Sequence, residues 1–62
     1  MEKKQVKDLQ VGDILSSGAE IIERPFDAIG LKSNQRKIGI KYSNGIIKIQ
    51  VWNKYTTVTI KN

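Results

Sequence analysis

Residues 37–60 read KIGIKYSNGIIKIQVWNKYTTVTI, and their alternation decides the fold class. Ile38, Ile40 and Tyr42 alternate with Lys37, Gly39 and Lys41, the period-2 pattern of a half-buried strand. Asn44-Gly45 follows, a pair that tolerates positive φ and predicts a two-residue hairpin turn. Ile47, Ile49 and Val51 then alternate with Lys48, Gln50 and Trp52. Asn53-Lys54 predicts a second tight turn, although lysine suits positive φ poorly. Thr56, Val58 and Ile60 alternate with Tyr55, Thr57 and Thr59. The stretch therefore reads as a three-stranded antiparallel meander.

Two-residue turns fix a register. The first pairs Tyr42 with Ile47, Ile40 with Ile49 and Ile38 with Val51. The second pairs Val51 with Thr56, Ile49 with Val58 and Ile47 with Ile60. Both send the same apolar residues inward, which a one-residue slip would not do. The opposite face then pairs Lys41 with Lys48, Gly39 with Gln50 and Lys37 with Trp52. Across the second turn it pairs Trp52 with Tyr55, Gln50 with Thr57 and Lys48 with Thr59.

Such a face suits a phosphorylated nucleotide: rings stack on bases, ammonium groups meet phosphates, and amides or hydroxyls reach base edges. The candidate ligand-binding residues are Trp52, Tyr55, Lys41, Lys48, Lys37, Gln50, Lys54, Thr57 and Arg36. The competing reading of Trp52 and Tyr55 is an aromatic pair that stabilises the hairpin or packs in a subunit contact. For the lysines it is a solvated face that discourages aggregation. Arg24 and Arg36 could each fork onto a phosphate, yet both flank loops.

Upstream the pattern is weaker. Val6 to Leu15 reads as a short helical turn, a turn at Gly12 and a first strand, broken by Ser16-Ser17-Gly18. Ala19 to Arg24 forms a second strand that Pro25 stops, because proline cannot donate to a central ladder. The segment from Pro25 to Gln35 reads as strand or loop. The expectation is one all-β domain over residues 1–62: a small SH3-like or open barrel of about five strands, ending in the meander. Ten isoleucines and four valines against three leucines support that strand bias.

Charge is segregated along the chain. Residues 1–27 hold all six acids, while residues 28–62 carry seven bases and no acid, within a net charge of +5. A single-sign segment attracts an anionic partner. With neither cysteine nor histidine, disulfides and Cys- or His-ligated metals are excluded. Ser16 and Ser17 lack a histidine to activate them. Glu20 and Glu23, three apart in a strand, should point to opposite faces. Asp8 and Asp13 read as turn or cap residues, and no Gly-rich phosphate loop occurs. The chain is read as a binding protein that is not an enzyme and needs no cofactor or metal. A domain this small also invites self-association. No apolar run spans a membrane and no signal-peptide core follows the start, so an intracellular protein is expected.

Val6 to Ile22, VKDLQVGDILSSGAEII, and Trp52 to Ile60, WNKYTTVTI, resemble a group of small phage-encoded β proteins, the anti-CBASS nucleotide sponges. The resemblance covers both ends and thins between Arg24 and Arg36. It implies sequestration of a cyclic dinucleotide such as 3′3′-cGAMP in the cytoplasm of a bacterial host. It also implies a homo-oligomer, dimer or tetramer, with ligand near subunit contacts. Trp52, Lys54 and Tyr55 to Thr57 are the matched positions most able to bind. The alternative is a single-stranded RNA- or DNA-binding barrel, which uses the same chemistry over a longer track. A third reading is a module that docks on an acidic protein surface.

Overall fold

The computed structural model describes residues 2–61. The chain is all-β with five strands: β1 (Glu2–Gln5), β2 (Glu20–Phe26), β3 (Gln35–Lys41), β4 (Ile47–Asn53) and β5 (Thr57–Ile60). One 3₁₀ turn over Val6–Asp8 follows β1, where the sequence suggests a helical turn. The three-stranded antiparallel meander is present and consists of β2, β3 and β4, while β5 turns away to pair with β1. Ile14 and Leu15 bridge to Glu20 and Ile60, linking the two sheets. Because β5 pairs with β1 and not with β4, the barrel stays open.

The first hairpin is one residue out of the expected register. Backbone φ is positive at Gly45 (+88°) and at no non-glycine described residue, so Asn44 does not enter the left-handed region that a two-residue turn requires. Instead Gly45 N–H donates to the Tyr42 carbonyl (2.9 Å) and Tyr42 N–H donates to the Ile46 carbonyl (2.8 Å), closing a three-residue loop with a glycine bulge. The Asn44 side-chain oxygen accepts from Ile46 N–H (3.1 Å) and secures it. Ile40 therefore faces Lys48, Ile38 faces Gln50 and Arg36 faces Trp52. A one-residue slip exchanges the faces of a strand. Ile47, Ile49 and Val51 consequently lie exposed rather than inward.

The second turn also departs from expectation. Thr56 N–H donates to the Asn53 carbonyl (3.1 Å), and Tyr55 N–H donates to the Asn53 side-chain oxygen (2.8 Å). Asn53 thus opens a four-residue turn, with Lys54 and Tyr55 at its centre and neither at positive φ. Lys7 N–H and Val6 N–H donate to the carbonyls of Lys54 and Thr56 (2.9 and 2.8 Å), drawing this turn toward the 3₁₀ turn and away from β4. None of the pairs expected between β4 and residues 56–60 forms.

Pro25 does not end β2. The β2–β3 register shifts between Ile21 and Glu23 and again between Glu23 and Phe26, and Pro25 sits within the second irregularity, where a missing donor costs no ladder bond. The chain from Asp27 to Asn34 is loop and turn. The core gathers Val6, Leu9, Leu15, Ala19, Ile21, Ile38, Ile40 and Ile60, with Tyr42, Trp52 and Val58 packed at its margin.

Candidate functional site

The residues expected on one face divide between two. Direct cross-strand partners project to the same side of a sheet. Arg36, Lys48, Gln50 and Trp52 therefore share the side of the core residues Ile38 and Ile40, and Lys37 and Lys41 share the other side with Val51 and Ile47. Lys41 and Lys48 do not oppose each other, Lys37 does not meet Trp52, and Gly39 does not meet Gln50. Trp52 faces neither Tyr55 nor Lys37, and Thr57 lies opposite Gln5 on β1 instead of near Gln50. Lys48 likewise has no contact in register with Thr59, which faces Lys3.

The lysines of the outer side also have acidic neighbours. Glu20 stands opposite Lys41 and Glu23 opposite Gly39. The irregularity at Ile22 puts both glutamates on this one side, although their spacing alone predicts opposite sides. The charge segregation along the sequence is partly undone by β2, which brings the acid-bearing half against the basic half. Gly39 is no flat landing site either, since a Cβ there would come within 2.7 Å of Glu23 Cβ.

Several candidates are held by internal partners. Arg36 forms an ion pair with Asp27 (3.0 Å) and donates to the carbonyls of Ser33 (3.0 Å) and Gln35 (2.7 Å). Gln50 donates through its side-chain amide to the Tyr42 hydroxyl (3.0 Å). The Lys54 ammonium lies 5.0 Å from the Tyr55 ring centroid, a cation–π arrangement that keeps the two together at the turn. Lys48 is exposed and Lys37 half-buried.

What the fold does assemble is a groove of about 390 Å³ where β4 and β5 part, lined by Val51, Trp52, Asn53, Thr56 and Val58. Its lining is mainly apolar and includes the half-buried Trp52, with the exposed Asn53 and Thr56 completing it. Asn53, Thr56 and Val58 were legible only as turn and strand residues, because the groove exists only if β5 leaves β4. A second cleft of about 380 Å³ is polar and lined by Lys7, Asp8, Leu9, Gln10, Arg24 and Pro25. It brings the cations of Arg24 and Lys7 and the carboxylate of Asp8 to one cleft.

Asp13 is a structural carboxylate. It accepts from Gln10 N–H (3.0 Å) and from the Lys4 ammonium (3.2 Å). The Gln10 bond first, and the neighbouring Lys4 second, hold its carboxyl below the ordinary value against an opposing effect of burial. Among the described residues no group of three or more acidic, histidine or cysteine side chains could hold a metal. No helix among them is long and apolar enough to cross a membrane. Compared with known protein families, curated proteins and solved structures, the chain finds no match.

Proposed function

We propose that the protein binds a nucleotide without turning it over, taking a base into the groove beside Trp52. One observation carries this reading: the half-buried Trp52 lines a mainly apolar groove of about 390 Å³ together with Val51, Val58, Asn53 and Thr56. An accessible aromatic face is a surface on which bases stack with little regard to sequence. The net charge of +5, with Lys48 and Lys54 close in sequence to Trp52, supplies the field that draws a phosphate to it. The resemblance of both ends to anti-CBASS sponges makes a cyclic dinucleotide of the 3′3′-cGAMP class the first ligand to test, sequestered in the cytoplasm of an infected bacterium. The binding set of this proposal is Trp52, Asn53 and Thr56, with Lys48 and Lys54 as the nearest cations in sequence.

Trp52 is the only tryptophan, so its fluorescence reports directly on the groove. Titration with a panel of cyclic di- and trinucleotides is expected to quench it saturably. By calorimetry, Trp52→Ala is expected to weaken binding roughly tenfold or more, in line with the worth of one stacked base. Unchanged fluorescence with every cyclic nucleotide and with oligonucleotides would end the proposal.

A second reading is favoured by the placement of Lys41 and Lys48 on opposite sides of the sheet. Cations spread around a strand suit a single-stranded RNA or DNA that curves past the groove better than a compact ligand. Its signature is an oligonucleotide that binds more tightly than any dinucleotide and loosens with salt.

A further inference from the structure

The register of the first hairpin creates a surface that, Val51 apart, the nucleotide reading does not use. β4 is the outer strand of its sheet, and it carries Ile47, Ile49 and Val51 in a row at 59, 51 and 43% exposure. The β3–β4 ladder is bonded through Tyr42 with Ile46 at one end and through Asn34 with Lys54 at the other. Antiparallel ladders alternate bonded and non-bonded pairs, so residues 48, 50 and 52 also bond inward. The N–H and C=O groups of Ile47, Ile49 and Val51 therefore point to the open edge. Each of these residues offers both a free backbone pair and an apolar side chain.

Edges of this kind are normally blunted by a proline, a bulge or a charge. β4 has no proline, its register with β3 is unbroken, and its lysine, Lys48, projects to the side away from the apolar row. The segment Ile47-Lys48-Ile49-Gln50-Val51 is also close to a palindrome about Ile49.

We propose that β4 pairs antiparallel with β4 of a second copy about a two-fold axis at Ile49, making one six-stranded sheet. In that register Ile49 meets Ile49, and Ile47 meets Val51 of the second copy. All three pairs use free edge groups and all three stack apolar side chains. Lys48 falls opposite Gln50 of the second copy, so no lysines oppose each other. Centring the axis on Lys48 instead would set Lys48 against Lys48, and centring it on Gln50 would pair Ile47 with Asn53. Charge and apolar matching thus select one register. Val51 also lines the Trp52 groove, so Ile47 of the second copy would sit beside its rim.

Sedimentation and native mass spectrometry of the full chain over a concentration series test the pairing. A dimer is expected. Ile49→Lys, which opposes two like charges on the axis, is expected to weaken association roughly tenfold or more while circular dichroism stays unchanged. The chain has no cysteine, so Ile49→Cys gives a single thiol. At a bonded antiparallel pair the Cα atoms lie about 5.5 Å apart, within disulfide range. Oxidation should therefore link Ile49→Cys efficiently and leave Ser17→Cys, away from β4, unlinked. A single-protomer mass at every concentration, or a dimer that Ile49→Lys leaves intact, overturns the proposal. Equal cross-linking of the two cysteine variants does so as well. Should Ile49→Lys fail to fold, the cysteine pair still decides.

Discussion

At the scale of single residues, Gly39 and Asp13 show how much local chemistry is tied to the fold. Gly39 sits in β3 against the irregular β2, with Glu23 Cβ 2.7 Å and Glu23 N 3.3 Å from where a Cβ would stand. Backbone cannot give way as a flexible side-chain tip can, so Gly39→Ala is expected to cost about 1–3 kcal/mol in denaturant unfolding. A neutral substitution would show that β2 stands farther off. Asp13 joins the turn after the 3₁₀ segment to Lys4 on β1. Its carboxyl is held below the ordinary value of 3.8, so the unfolded chain takes up this proton first as pH falls. The stabilisation is complete above the unfolded value and drains away as pH drops through it toward the folded one. Asp13→Asn should therefore cost about 1 kcal/mol near neutrality. Its stability should fall less between about pH 5 and pH 2 than the parent's. Parallel acid limbs for the two proteins would refute the assignment.

At the scale of elements, the apolar alternation of residues 38–60 correctly reports that each stretch is a strand and leaves open which side is inward. That choice belongs to the turn. Asn44-Gly45 is compatible both with a two-residue turn and with a three-residue loop that needs positive φ at Gly45 alone, and the second exchanges the sides of β4. Nothing in residues 47–51 themselves could reveal it. The strand β1 is silent in the sequence for another reason: Glu2 to Gln5 has no apolar residue, and its pairing is set by β5. Ile38, Ile40, Ile60 and the 3₁₀ turn were legible because period and burial agree there. The candidate site was legible in its residue types, Trp52 above all, but its grouping depended on the turn. The register has a direct thermodynamic consequence. Ile38→Ala removes a fully buried side chain and should cost about 2–5 kcal/mol. Ile47→Ala, on the exposed side, should stay within about 1 kcal/mol when measured at high dilution, where association does not contribute. Comparable losses at both positions would mean that Ile47 is inward after all.

At the scale of the whole molecule, folding redistributes the charge that the sequence segregates. The acid-free half supplies seven bases, yet Glu20 and Glu23 from the other half stand in the same side of the sheet as Lys41, and Arg36 is engaged by Asp27. Lys48 and Lys54 remain on or near the groove strand without a carboxylate opposite them in register. A nucleic acid lying across the Trp52 groove would then meet two or three cations, not seven. Each phosphate neutralised on a single strand contributes about 0.7 to the slope of log affinity against log salt. Binding of a short oligonucleotide, followed by Trp52 fluorescence between low and moderate salt, should accordingly show a slope of about −1.5 to −2. A slope near −5 would require most of the basic half to act as one surface, contrary to the division of Lys41 from Lys48. The same division sets the expectation for a compact dinucleotide: with two phosphates at most, its slope should be shallower still, so one salt series on both ligands separates a base-dominated groove from a charge-dominated track.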